Sequence, residues 1–228
     1  MLHLYWGDGK GKTTAAMGLA LRALGHGRRV VILQFLKDGS SGEIEMLRRC
    51  GAAVYACPNA KFTWLMTDAE RAEARRTNTR TLQTILQGSF DLLVLDEATA
   101  GLDPVVRGAL LDLFLEFIQD ERHSIVMSSH ITADLEQIAD SIAYLHNGQL
   151  LFQENKDDLL QEYGVLHCGE DVLPSLPAGL VVFTRRGAYG CESLVRERRT
   201  VQELLPEAVC DAARLDDIMR FYSGRDAQ

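Results

Sequence analysis

The segment from Gly7 to Thr14 carries residue types that bind phosphate. Its members are Gly7, Asp8, Gly9, Lys10, Gly11, Lys12, Thr13 and Thr14. Closely spaced glycines let backbone N–H groups turn towards an anion, a lysine ammonium adds positive charge, and a threonine hydroxyl can ligate magnesium. We therefore predict that the whole segment binds ATP, with Lys12 as a catalytic residue and Thr13 as a ligand of Mg2+.

This segment departs from the general phosphate-loop pattern at one position. In the pattern Gly-x-x-x-x-Gly-Lys-Thr, the first glycine would fall on Trp6. The loop therefore belongs to a variant class. The alternative is a glycine-rich turn that only caps a helix, and the apolar strand before the loop and the helical pattern after it disfavour that alternative.

A second motif ends in two carboxylates. Residues 91–97 read Asp-Leu-Leu-Val-Leu-Asp-Glu, which is an apolar strand followed by Asp96 and Glu97. Asp96 is predicted to hold Mg2+ through water, and Glu97 is predicted to lie beside the reacting phosphates as a catalytic residue. Either acid alone could be an ordinary charge at a strand end, but together with the phosphate loop they predict a Mg-ATP site.

The surrounding pattern predicts the elements that position both motifs. Apolar runs predict strands at 2–6, 29–35, 90–95 and 124–128, and helical spacing or capping signals predict helices at 12–26 and 67–87 and a further helix from Asp103. This alternation predicts an α/β fold of the P-loop NTPase class, with a mostly parallel sheet flanked by helices. Ligands of such sheets bind at the carboxyl ends of the strands.

The pattern changes after residue 145. Asn147-Gly148 lies between two apolar runs and predicts a hairpin, and residues 178–195 predict a second hairpin that turns near Gly187. We therefore expect a nucleotide-binding domain at 1–145 and a small α+β appendage at 146–228.

Composition narrows the classes of function. The 228 residues are 46% hydrophobic, which predicts a globular core, and a net charge of −8 argues against general nucleic-acid binding. No apolar run approaches the roughly 20 residues needed to span a bilayer, so no integral membrane segment is expected. Because an apparent strand begins at residue 2, we expect no secretory leader. We also expect a cytoplasmic protein whose five cysteines are reduced structural thiols.

Residues 1–97 closely resemble the ATP:corrinoid adenosyltransferases. The phosphate loop has the form found in that family, which also lacks the first glycine, and it is followed by Gly25-His26-Gly27 and by Gln34-Phe35-Leu36-Lys37. The resemblance implies that the substrates are ATP and a corrinoid. It also implies that Gln34 and Lys37 bind the corrinoid. Alternatively, Lys10 and Lys37 add charge near the triphosphate, or either is a solvated surface lysine.

Phe62-Thr63-Trp64 extends this resemblance. In the family, a Phe and a Trp with this spacing pack against the corrin face and displace the lower ligand of cobalt, which makes the cobalt easier to reduce. The resemblance implies corrinoid binding by Phe62 and Trp64. From spacing alone, two aromatic residues in a loop that covers the core are an equally good interpretation.

Residues 92–228 resemble the C-terminal half of an ABC transporter ATPase. Residues 95–104 are similar to its Walker B motif and D-loop, and Ser128-Ser129-His130 is similar to its switch histidine. The resemblance implies that Glu97 polarises the attacking water, that His130 contacts the γ-phosphate as a catalytic residue, and that Asp103 bridges a dimer. However, residues 77–90 lack the Leu-Ser-Gly-Gly-Gln signature of that family.

The two resemblances meet at one strand, Leu-Val-Leu-Asp-Glu. The first hypothesis is an adenosyltransferase in which cobalt(I) attacks the 5′ carbon of ATP and triphosphate leaves. The alternative is an ABC ATP-binding subunit that hydrolyses ATP to drive a membrane permease, and the second alternative is a hybrid that binds ATP without efficient catalysis. We expect small-molecule substrates, no nucleic-acid partner and a homodimer.

Overall fold

The computed structural model describes residues 1–7, 10–35, 37–56, 66–97, 107–129, 138–187 and 190–223. The chain divides into two compact units, residues 1–153 and 154–228. The change of sequence pattern predicts a division after residue 145. The structure assigns the hairpin at Asn147-Gly148 and most of the strand that follows it to the first unit.

The first unit contains a seven-stranded sheet. Its strands are β1 (Leu2–Trp6), β2 (Val30–Gln34), β3 (Ala53–Ala56), β4 (Leu92–Asp96), β5 (Ser124–Ser129), β6 (Ser141–His146) and β7 (Gln149–Asn155). They lie in the order β3-β2-β4-β5-β1-β6-β7. Every pair from β3 to β6 is parallel. The predicted α/β fold with a mostly parallel sheet is therefore confirmed.

In the described ranges, the helices of this unit are α1 (Lys12–Gly25), α2 (Gly42–Arg49), α3 (Asp68–Leu86) and α4 (Arg107–Ile118). All residues of β2 and β4 are buried, as expected for strands covered on both faces. Small residues of α1, Ala16 and Ala20, join the core of this sheet and allow the helix to pack closely against it. The helix that begins at the phosphate loop is thus fixed directly on the strands that carry the acidic motif.

Two short sequence motifs correctly predicted a helix start and a hairpin turn. Thr67 accepts a hydrogen bond from the backbone N–H of Glu70, and the Glu70 carboxylate accepts one from the backbone N–H of Thr67, so the predicted capping box at the start of α3 is confirmed. Asn147 and Gly148 both have positive φ, 48° and 78°, which matches the predicted two-residue hairpin turn between β6 and β7.

The second unit has a four-stranded antiparallel sheet in the order β11-β8-β10-β9. Its elements are α5 (Lys156–Glu162), β8 (Gly164–Cys168), β9 (Val181–Gly187), β10 (Gly190–Val195), α6 (Arg198–Leu204), β11 (Val209–Ala212) and α7 (Leu215–Ser223), with a short 3-10 turn at Leu173–Ser175. The hairpin predicted near Gly187 is confirmed by the pairing of Gly187 with Gly190. A small α+β unit therefore follows the parallel α/β unit in the chain.

Among the described cysteines, Cys50, Cys168, Cys191 and Cys210 are free thiols. No helix in the described ranges is long and apolar enough to cross a membrane.

Candidate nucleotide site

The sheet register brings three polar side chains together at the carboxyl ends of neighbouring strands. Gln34 at the end of β2 is the register partner of Asp96 at the end of β4, and Asp96 is the partner of Ser128 on β5. All three residues are completely buried. Because β1 also ends at this edge, beside β5, the phosphate loop begins next to the acidic motif.

Gly7 explains why the first glycine of the general pattern is not needed at Trp6. Trp6 is the last residue of β1, is buried, and stacks on Tyr144 with ring centroids 4.6 Å apart. Gly7 has a φ of 132°, and a Cβ atom added there would lie only 1.8 Å from the carbonyl oxygen of Leu145. The glycine that permits a close backbone approach thus stands one position later, and an aromatic side chain fills the preceding one.

We predict that Gly7→Ala lowers the free energy of unfolding by about 3 kcal/mol, because alanine would combine a strained φ with a backbone clash. Thermal unfolding followed by circular dichroism measures this change. Gly18→Ala is the matched control, since Gly18 lies on an exposed position of α1 with open space around it, and alanine there should stabilise the helix by about 0.5–1 kcal/mol. Equal stabilities of the two variants would contradict the prediction.

The Lys12 ammonium is held against the backbone at the end of β1. Its Nζ atom donates a hydrogen bond of 2.6 Å to the carbonyl oxygen of Gly7, and the residue is only 7% exposed. The backbone of Gly7 therefore fixes the position of the charge. An ammonium fixed in this way can interact with the oxygens of a bound triphosphate.

The start of α1 adds to the positive potential. The N-cap residue is Gly11, with a φ of 116°, and it offers no side-chain hydrogen bond to the first turn. The first turn also contains no acidic residue. Because the first N–H groups of a helix have no partner within the helix and carry partial positive charge, this end of α1 is suited to an anionic ligand.

Asp96 accepts hydrogen bonds on both carboxylate oxygens. Its Oδ1 atom accepts from the hydroxyls of Thr13 at 2.9 Å and Ser128 at 2.7 Å. Its Oδ2 atom accepts from Lys37 Nζ at 2.8 Å and Gln34 Nε2 at 3.1 Å. This set of donors joins the phosphate-loop helix, the loop after β2 and two neighbouring strands at one carboxylate.

These contacts keep the Asp96 carboxylate charged despite its burial. Burial opposes ionisation and by itself would raise the pKa of Asp96. The hydrogen bond and charge of Lys37, followed by the hydroxyls of Ser128 and Thr13, outweigh burial and lower the pKa below its usual value. Asp96 is therefore a carboxylate at neutral pH.

Glu97 lies directly after this centre with unusual backbone geometry. Its φ is 59°, a left-handed conformation that is uncommon for a residue other than glycine. Its backbone N–H donates to the Ser128 hydroxyl at 3.0 Å, and that hydroxyl donates to Asp96. Ser128 thus couples both acids of the motif, a role that sequence reasoning missed. The sequence offered only a partial signal, because Ser128 is a small polar residue near the end of the next strand, whereas strand order and register decide that it meets Asp96.

Some of the other predicted site residues lie within the described ranges, and others lie outside them. Lys10 and Thr14 are exposed beside the loop, whereas Gln34 is buried and its Oε1 atom has no hydrogen-bond partner within the described ranges. Five predicted residues lie outside those ranges: Asp8, Gly9, Phe62, Trp64 and His130. Asp103, predicted to bridge a dimer, also lies outside them.

The Thr13–Asp96 pair suits a hard cation such as Mg2+. The pair offers a hydroxyl and a carboxylate oxygen, both of the ligand type that Mg2+ prefers, on atoms 2.9 Å apart. Within the described ranges, no group of three or more His, Cys, Asp and Glu side chains is placed to hold a metal. A magnesium ion at Thr13 and Asp96 would therefore depend on nucleotide oxygens and water for its remaining ligands.

The chain is similar both to corrinoid adenosyltransferases and to ATP-binding proteins of transporters. Residues 1–156 match the family model of the ATP:corrinoid adenosyltransferase BtuR/CobO/CobP. The corrinoid adenosyltransferase of Escherichia coli is 35% identical over 102 residues, which cover 43% of this chain and 52% of that protein. The corrinoid adenosyltransferase of Pseudomonas aeruginosa is 37% identical over 106 residues, which cover 45% of this chain and 52% of that protein.

A third relative is an ATP-binding protein of a transporter. The energy-coupling factor transporter ATP-binding protein EcfA2 of Lactococcus lactis is 31% identical over 121 residues, which cover 53% of this chain and 42% of that protein. Both resemblances seen in the sequence are thus confirmed, and the chain spans about half the length of the curated adenosyltransferases it matches. Since the family model covers more than half of its residues, the chain belongs to the ATP:corrinoid adenosyltransferase family.

Proposed function

We propose that the protein transfers the 5′-deoxyadenosyl group of ATP to the cobalt of a reduced corrinoid. The carbon–cobalt bond forms as cobalt(I) donates its electron pair to the 5′ carbon of ATP, and the carbon–oxygen bond breaks to release inorganic triphosphate. The observation that carries this proposal is the convergence of Lys12, Thr13 and Asp96 at one sheet edge in a chain of this family.

The chain's own residues would position the triphosphate and neutralise its charge. Lys12 and the N–H groups at the start of α1 would bind phosphate oxygens, and Thr13 and Asp96 would hold Mg2+. Mg2+ bound there would supply positive charge that stabilises the leaving triphosphate. Because the corrinoid itself is the nucleophile, catalysis requires no nucleophilic side chain, and the protein contributes orientation and electrostatic stabilisation.

We assign corrinoid binding to Phe62 and Trp64 on the family resemblance. Gln34 and Lys37 were given the same role by that resemblance, and both donate hydrogen bonds to Asp96. Their contacts favour a role at the nucleotide site, where Gln34 would orient the carboxylate and Lys37 would add positive charge. A homodimer and a cytoplasmic location remain predictions.

The test is phosphorus NMR of the reaction products. Purified protein, Mg-ATP and chemically reduced cob(I)alamin are mixed without oxygen, and Lys12→Ala is treated in parallel. Triphosphate that forms only with the corrinoid, and not with Lys12→Ala, is the expected result. Binding of Mg-ATP with neither triphosphate nor phosphate release would instead favour the hybrid that binds ATP without efficient catalysis.

The second candidate is an ABC-type ATPase that drives a membrane permease. The observation in its favour is the position of Glu97, which follows Asp96 at the end of β4 and is tied through its backbone to Ser128. In this role Glu97 would activate the attacking water, and His130 would contact the γ-phosphate. The products would be ADP and phosphate, formed without a corrinoid.

Variants at Glu97 and at the aromatic pair separate the two activities. We predict that Glu97→Gln reduces ATP hydrolysis at least about a hundredfold, since it removes a general base, but changes corrinoid-dependent triphosphate formation only slightly. Phe62→Ala and Trp64→Ala should reduce corrinoid-dependent triphosphate formation and change ATP hydrolysis only slightly. The same phosphorus NMR assay reads both products, and loss of corrinoid adenosylation in Glu97→Gln would show that the roles are assigned wrongly.

A further inference from the structure

The Lys37 ammonium contacts both residues that are proposed to hold magnesium, Thr13 and Asp96. Its Nζ atom is 2.8 Å from Asp96 Oδ2 and 3.1 Å from Thr13 Oγ1, to both of which it donates hydrogen bonds. The Lys37 side chain is 40% exposed, whereas that of Asp96 is fully buried. A flexible cation that reaches in from the surface thus balances a buried carboxylate.

The hydrogen-bond donors around the Asp96 carboxylate leave little space for a magnesium ion in addition to the Lys37 ammonium. With Thr13 and Ser128 on Oδ1 and Gln34 and Lys37 on Oδ2, each carboxylate oxygen accepts two hydrogen bonds. The donors on Oδ1 and the amide of Gln34 come from short side chains on the helix and strands of the core. Lys37 is the half-exposed member of this set and has a long flexible stem, so it is the donor best able to leave.

Magnesium and the Lys37 ammonium would repel each other at this position. A Mg2+ ion ligated by Thr13 Oγ1 sits about 2.1 Å from that oxygen, so the two cations would be no more than about 5 Å apart. At this separation a divalent and a monovalent cation repel strongly in a partly buried site. Water bound to Mg2+ could replace the ammonium as a hydrogen-bond donor to Asp96 Oδ2.

We propose that Lys37 is a resident cation of the magnesium site, which occupies Thr13 and Asp96 in the absence of nucleotide and leaves when Mg-ATP binds. This proposal rests on the proposed nucleotide function and adds a regulatory step to it. Lys37 keeps the buried carboxylate neutralised and opposes binding of free metal. Mg2+ then enters efficiently only with a triphosphate, whose negative charge attracts the released ammonium.

Binding of Mn2+ to the nucleotide-free protein tests the proposal, with the electron paramagnetic resonance signal of free Mn2+ as the readout. Lys37→Met removes the ammonium and keeps an apolar stem, and we expect it to bind Mn2+ about tenfold more tightly than the unmodified protein. Arg28→Met makes the same change in charge before β2, at the opposite end of that strand, and should leave the affinity unchanged. Equal affinities of Lys37→Met and the unmodified protein would overturn the proposal.

The increase in Mn2+ affinity of Lys37→Met should also depend on Asp96. Adding Asp96→Asn to Lys37→Met should remove the increase in affinity, and an increase that persists in the double variant would place the ion elsewhere and refute the proposal. No corrinoid is present in these titrations. Failure to form triphosphate would therefore count against the proposed transferase activity without changing how the Mn2+ result is interpreted.

If Lys37→Met does not fold, a measurement on the unmodified protein tests whether the Lys37 ammonium leaves Thr13 and Asp96 when Mg-ATP binds. In protein labelled with 15N at lysine Nζ, the Lys37 ammonium resonance is assigned from its absence in Lys37→Arg. We expect this resonance to move when Mg-ATP is added, because the ammonium leaves Asp96 and Thr13. A resonance that stays in place during saturation with Mg-ATP would contradict the proposal.

Discussion

Replacing Lys12 with alanine should weaken binding of Mg-ATP by about a hundredfold or more, because it removes the charge held at the phosphate loop. The ammonium of Lys12 is nearly buried and is fixed by the carbonyl oxygen of Gly7. Its interaction with a triphosphate would therefore take place where water screens it less than at an open surface. Titration with a fluorescent ATP analogue measures the dissociation constant.

Arg22→Ala provides the comparison for this loss of charge. Arg22 lies in the last turn of the same helix, α1, so both variants lose one positive charge but only Lys12→Ala loses it at the phosphate loop. Nucleotide affinity should be nearly unchanged in Arg22→Ala. If Lys12→Ala bound Mg-ATP as tightly as Arg22→Ala, the loop would not be the phosphate site.

Asp96→Asn should reduce corrinoid-dependent triphosphate formation by at least about a hundredfold, since it removes the carboxylate proposed to hold Mg2+. The substitution keeps the size of the side chain but removes the charge that Lys37 faces. It also places an amide NH2 among four donors, where at least one donor loses its acceptor. Steady-state rates over a range of Mg2+ concentrations measure this effect, and a variant with normal rates would exclude Asp96 from the site.

The same variant should change how stability depends on pH. Because folding lowers the pKa of Asp96, the carboxylate contributes stability above the pKa of the unfolded chain, about 4, and this contribution is lost as the pH falls through the lower pKa of the folded protein. Asp96→Asn should therefore be less stable than the unmodified protein by about 2 kcal/mol at pH 7, with a smaller difference in acid. Denaturant unfolding at pH 7 and below pH 4 compares the two, and a constant difference would contradict this assignment.

Local signals allowed much of the site to be predicted from the sequence. The phosphate loop and the acidic pair are contiguous motifs, so Lys12, Thr13 and Asp96 could be named from spacing alone. The buried strands β2 and β4 were equally evident as apolar runs. In contrast, the short helix α2 and the edge strand β3 were not predicted, because their residues carry weaker patterns.

Contacts between distant residues could not be predicted in the same way. Gln34 and Ser128 lie 62 and 32 residues from Asp96 in the chain, and they meet it only through the register of parallel strands. A one-residue change in that register would turn each side chain to the other face of the sheet. Sequence spacing does not contain this information, which is why Gln34 was connected with the corrinoid and Ser128 was connected only with a neighbouring histidine.

The strand order mixes the two segments that resemble different families within one sheet. β1 comes from the adenosyltransferase-like segment, yet it is hydrogen-bonded between β5 and β6, which both follow the shared strand β4 in the chain. The two segments are therefore interlaced rather than joined end to end. A cut after β4 would leave β1 with two unpaired edges, so the pieces would behave as complementing fragments of one folding unit and not as independent modules.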